Sequence, residues 1–79
     1  MASIYGTEID NRYVTRNEEQ TKSSKYYEVE LNFGMGPVCI HKNVTDNKFA
    51  VLLHGSILVL TKQKLAAVLL NMQEEALNH

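Results

Sequence analysis

From Tyr26 to Phe33 the chain alternates without a break. Tyr27, Val29, Leu31 and Phe33 fall on one side, and Tyr26, Glu28, Glu30 and Asn32 on the other. Side chains repeat every two residues only on an extended strand, so this stretch predicts a strand with one dry face and one wet face. Gly34-Met35-Gly36-Pro37 follows. Its two glycines accept positive φ and its proline fixes its own φ, which is the chemistry of a reversal. Val38 to Lys42 resumes the alternation, with Val38 and Ile40 on one side and Cys39 and His41 on the other. The two runs predict an antiparallel hairpin, 26–33 with 38–42, whose dry face needs a cover.

The C-terminal third supplies that cover. Thr61 is a good N-cap, and Leu65, Val68, Leu69, Met72 and Ala76 recur at helical spacing, which predicts an amphipathic helix over 61–77. Ala66, Leu70 and Leu77 lie beside that stripe and widen it to roughly 200°, about twice what one small sheet covers. The surplus predicts another contact, so Leu70 and Leu77 are expected to be held for self-association or a partner. Lys62 and Lys64 sit in the first turn and Glu74 and Glu75 near the end. Both placements oppose the macrodipole, at about 0.3–1 kcal/mol each near the ends. Such charges are either a screened, tolerated penalty or part of an interface; on the second reading Lys62, Lys64 and Glu74 join Leu70 and Leu77.

Residues 43–60 can be read two ways. Asp46 as N-cap, Phe49, Leu52 and Leu53 as an apolar face and Gly55 as the residue after the helix predict a short helix, followed by a strand at Ser56–Leu60. Alternatively, Phe49–Leu53 and Ile57–Leu60 are two strands joined at His54-Gly55-Ser56. The start and stop signals favour the helix. The expected core is then Tyr27, Val29, Leu31, Phe33, Val38, Ile40, Phe49, Leu52, Leu53, Ile57, Leu65, Val68, Leu69 and Met72.

The N-terminal 25 residues are different. They carry Glu8, Asp10, Arg12, Arg16, Glu18, Glu19, Lys22 and Lys25, with Ile4, Tyr5, Ile9, Tyr13 and Val14 as the main apolar groups. Thr15 to Lys25 has no apolar side chain. It cannot offset its own ordering entropy and predicts a mobile loop, with an edge strand around Tyr13 and Val14 before it. The organisation expected is a polar, partly flexible segment at 1–25 and a single α+β domain at 26–79. That domain is a small antiparallel sheet, the hairpin plus one or two further strands, packed by the 61–77 helix. A chain of 79 residues leaves no room for a second domain.

Candidate chemistry is sparse. Net charge is only −1, from 8 basic and 9 acidic residues, which argues against a bulk polyanion binder. Cys39 is the one cysteine, so an internal disulfide framework and a multi-cysteine zinc module are excluded. Cys39 and His41 share a strand face, but no third group or oxyanion hole is advertised, so a half-buried cysteine beside a surface histidine is the stronger reading. With His54 they form at best a thin ligand set, and no metal or cofactor is expected. The G-x-G at Gly34–Gly36 sits between strands and runs into a proline, so it reads as a turn and not a phosphate loop. Candidate nucleic-acid contacts are Arg12, Arg16, Lys25 and Tyr26, where cations adjoin tyrosine rings, although Glu18, Glu19, Glu28 and Glu30 are interleaved with them. The N-terminus shows no basic-then-apolar signal pattern, and the longest apolar run, Leu65–Leu70, is far short of a membrane span. A cytoplasmic protein with no membrane segment is expected.

The stretch FAVLLHGSILVLTKQKLAAVLLNM, Phe49 to Met72, is expected to combine a short apolar helix, a His-Gly stop, an extended piece, a Leu-Thr cap and an amphipathic helix. In that arrangement it is similar to small accessory proteins of phages and mobile elements. The resemblance implies a compact binder or inhibitor of a host macromolecule and transfers no site residue. The expected function is therefore a small non-enzymatic protein-interaction module, with homodimerisation expected and a nucleic-acid or nucleotide binder as the alternative.

Overall fold

The computed structural model describes residues 1–18, 27–43 and 46–78. Two antiparallel sheets pack with one helix in an α+β fold. The small sheet is the hairpin β1 (Ala2–Ile4) and β2 (Thr7–Ile9). Tyr5 and Gly6 between them have φ of 49° and 86°, the pair of positive values that a two-residue hairpin turn demands. The large sheet is a meander in chain order: β3 (Val14–Asn17), β4 (Val29–Asn32), β5 (Pro37–Asn43), β6 (Lys48–Leu53) and β7 (Ser56–Leu60). Helix α1 (Lys62–Leu77) follows at once, with the Thr61 hydroxyl accepting from the Lys64 amide at 3.3 Å.

The expected hairpin is present, with Val29 opposite Ile40 and Leu31 opposite Val38. Three further strands join it, more than the one or two expected. The region read as a helix from Asp46 to Gly55 is instead β6 and its two turns. The signals for the two structures are degenerate. Asp46 Oδ1 accepts from the Lys48 amide, as it would in a cap, and Gly55 at φ +79° suits a turn as well as a helix end. Pairing decided the matter, because Phe49 and Val51 point into the core while β5 and β7 satisfy both edges of the β6 backbone.

The core comprises Ile4, Ile9, Tyr13, Val29, Leu31, Phe33, Val38, Ile40, Phe49, Val51, Leu65, Leu69 and Met72. Tyr27, Leu52, Leu53 and Val68, expected inside, are only half-buried. Ile57 is a clear correction: it is 63% exposed, because β7 is the last strand and Ile57 faces away from the helix layer. Ile4, Ile9, Tyr13 and Val51 are core residues that the periodicity missed.

Three of those four lie in residues 1–18, part of the segment expected to be polar and partly flexible. Tyr5 packs against Phe49 in a tilted pair with ring centroids 4.6 Å apart, and Tyr13 likewise against Phe33 at 5.1 Å. Buried Gln73 clamps α1 to β2: its Oε1 accepts from the Asp10 amide at 2.7 Å and its Nε2 donates to the Glu8 carbonyl at 3.3 Å. These bonds close polar groups that would otherwise be stranded in the interior. The edge strand expected near Tyr13 and Val14 is β3, and it continues to Asn17, into the stretch expected as a loop. The rest of that loop expectation, 19–25, lies outside the described residues.

Candidate functional site

The register divides the large sheet into two faces. Val29, Ile40 and Val51, in the core, form one transverse row on the inner face that runs on to Leu58 in β7. The outer face has no cover among the described residues, and its composition changes steadily across the strands. One row runs Arg16, Glu30, Cys39, Leu52, Ile57, and the next His41, Ala50, Val59. Charge lies at the β3 end and bare hydrocarbon at the β7 end. Ile57 and Val59 are 63% and 64% exposed, and Leu58 on the opposite face is 41% exposed. Three consecutive apolar residues on a terminal strand with no charged residue leave both hydrocarbon and an unfilled row of backbone groups open, the features of a strand that pairs with another chain.

The helix residues expected at an interface are placed as follows. Leu70 and Leu77 are 48% and 55% exposed, two turns apart on one side of α1, with exposed Glu74 between them. Lys64 is exposed in the first turn. Lys62 lies against the β1–β2 turn, its Cε 3.2 Å from where a Cβ on Gly6 would sit. Helix spacing therefore sets Leu70, Glu74 and Leu77 together in the second half of α1, while the two lysines stand in its first turn.

Of the candidate nucleic-acid residues, Arg12 and Arg16 are among the described residues, and each is paired with a carboxylate. Arg12 pairs with Asp10 at 2.9 Å and lies over the Tyr13 ring. The Arg12 backbone amide and then its guanidinium hold the Asp10 carboxyl below its usual range. Arg16 is bridged to Glu18. Lys25 and Tyr26 lie outside the described residues. A different set of cations does converge: an open cleft of about 710 Å³ between the β1–β2 turn, Asp46–Phe49 and the start of α1 is lined by Lys42, Lys48 and Lys62, with Asp46 also present. It favours anions in general, through lysine charge and the helix N-terminus, but Lys48 and Lys62 are exposed and fix no cradle.

Cys39 and His41 do share the outer face. The thiol, however, donates to Glu30 Oε1 at 3.6 Å, and its pKa is pushed up by burial first and then by the Glu30 charge. A nucleophilic cysteine needs the opposite shift. His41 meets the Tyr27 ring edge-on at 6.3 Å. Among the described residues no three His, Cys, Asp or Glu side chains cluster as a metal site, and no helix is long and apolar enough to cross a membrane. In comparisons with protein-family models, curated proteins and solved structures, nothing matches the chain.

The sequence reading missed β7 as a surface. A run of four apolar residues, Ile57–Leu60, normally marks a strand buried on both faces. The available signal was its position: a strand that ends a meander and turns directly into a helix has no later strand to cover its far side.

Proposed function

We propose that this chain is a small, non-enzymatic protein-interaction module that binds its partner through β7 and the adjoining apolar outer face. The observation that carries the reading is the exposure of Ile57, Leu58 and Val59 on an uncharged edge strand. A strand edge supplies main-chain hydrogen bonds for affinity, and the flanking side chains supply selectivity. The Cys39 thiol, donating to Glu30 and with its pKa raised, lacks the activation that a cysteine nucleophile needs.

The test is capture of partners by the tagged full chain, with and without nuclease, beside an Ile57→Lys/Val59→Lys variant whose circular dichroism matches the parent. The expected result is a stoichiometric protein that survives nuclease and is lost with the variant. Capture that nuclease abolishes, unaffected by the variant, would move the lysine-lined cleft at Lys42, Lys48 and Lys62 to first place.

A further inference from the structure

We infer that β7 is the seam of a homodimer in which two copies pair antiparallel about a two-fold axis at Leu58, joining their five-stranded sheets into one. This rests on the reading of β7 as the contact surface, and adds the occupant and the register.

The β6–β7 turn fixes which backbone groups are on offer. His54 and Gly55 both have positive φ, 52° and 79°, between the paired residues Leu53 and Ser56. In such a two-residue hairpin the flanking pair exchanges both hydrogen bonds, and bonded and non-bonded pairs alternate from there. Ser56, Leu58 and Leu60 therefore direct their amides and carbonyls at β6. Those of Ile57 and Val59 point off the open edge.

An antiparallel partner must bond to those two residues. Centring the dyad on Leu58 sets Ile57 against Val59 of the second copy, and Val59 against its Ile57, and satisfies all four groups on each strand. It pairs Ser56–Leu60 along its whole length, while a dyad at Ile57 or Val59 shortens the overlap. The strand reads nearly the same in both directions about Leu58, which is what a two-fold contact requires of a surface that must complement itself. β-Branched side chains meet on the outer face, Leu58 meets Leu58 on the inner face, and no charge faces a like charge.

The assembly also stops at two. Both ends of the joined sheet are β3, where the register shifts between Val14 and Arg16 and Arg16 and Glu18 lie paired, so neither end continues the ladder. A seam of this length buries on the order of 600 Å² in total, below a standard interface, so the dimer is concentration-dependent.

Sedimentation velocity of the full chain from about 10 μM to about 1 mM reads the assembly in the range suited to a small seam. The mass should rise from 9.0 kDa towards twice that value. Val59→Lys, at an exposed position, should raise the dissociation constant at least about tenfold with an unchanged melting curve in dilute solution. Register is read by cysteine trapping in a Cys39→Ser background. Leu58→Cys should form an intermolecular disulfide, because non-bonded partners lie about 4.5 Å apart at Cα. Ile57→Cys should not, because it lies about 8–9 Å from its own copy.

A constant 9.0 kDa mass overturns the inference. So does a dimer that persists in Val59→Lys and is lost in Leu70→Glu, which would place the seam on the helix. If nuclease-resistant capture through β7 survives either result, the interaction-module reading stands with another occupant. Absence of both capture and dimer sinks the two together.

Discussion

The two edges of the five-stranded sheet solve the same problem in opposite ways. β3 is short, breaks register between Val14 and Arg16, and is clad in polar contacts: the Thr15 hydroxyl bonds Glu30, and Arg16 is bridged to Glu18. β7 is straight in register with β6 over its whole length and offers Ile57, Leu58 and Val59 to solvent. An edge with a bulge and charge resists a further strand, and an edge with neither invites one. The difference shows that an exposed edge here is a property of one strand and not of a loosely specified sheet. One closed end and one open end would make an assembly joined through β7 finite.

The largest effect should come from making the two edges alike. Arg16→Val/Glu18→Val removes the charged cladding of β3, and the chain should pass from a closed species to large assemblies, seen as turbidity and void-volume elution. If the variant keeps the parent's size distribution, the bulge alone protects that edge. Stability separates the centre of the sheet from its open end. Leu31→Ala, at a fully buried site, should cost about 3 kcal/mol in urea unfolding. Ile57→Ala in dilute solution should cost less than about 1 kcal/mol. Equal costs would mean that Ile57 is covered in the monomer.

The turn that aims β7 is the next lever. Gly55→Ala places a side chain at φ +79°, and should cost about 1 kcal/mol while weakening self-association through a disturbed register. The smallest expected change lies midway along the gradient. Glu30→Gln removes a like charge beside Cys39, so the thiol pKa should fall and alkylation near pH 8 should speed up roughly two- to five-fold, with its pH midpoint moving down. An unchanged rate would leave burial as the only cause of the raised pKa.

Much of the fold was legible in the sequence. The hairpin expected at 26–33 and 38–42, present as Val29–Asn32 with Pro37–Asn43, and the helix expected at 61–77, present as Lys62–Leu77, follow from strict periods of two and of 3.6, because each period must present one continuous apolar face to a core. The Asp46–Gly55 segment was not legible, since Asp and Gly mark a cap, a helix end and a turn with the same chemistry. The role of Ile4, Ile9 and Tyr13 was hidden because isolated apolar residues in a charged stretch carry no periodicity. They enter the core only once the β1–β2 turn and the Gln73 clamp set them over Phe33 and Phe49. Of the expected interface residues, Leu70 and Leu77 are exposed in the single chain.

By itself the sequence determined which local elements form and which faces are apolar, because backbone geometry and side-chain spacing act over a few residues. Only the tertiary structure decided where each apolar face goes. Val51 and Ile57 are both β-branched residues in short apolar runs, yet one is fully buried and the other mostly exposed. The cause is strand order. Val51 is flanked by β5 and β7 beneath the helix layer, while Ile57 stands at the end of the ladder on the uncovered face. Burial depends on neighbours distant in sequence, and no local pattern can specify those.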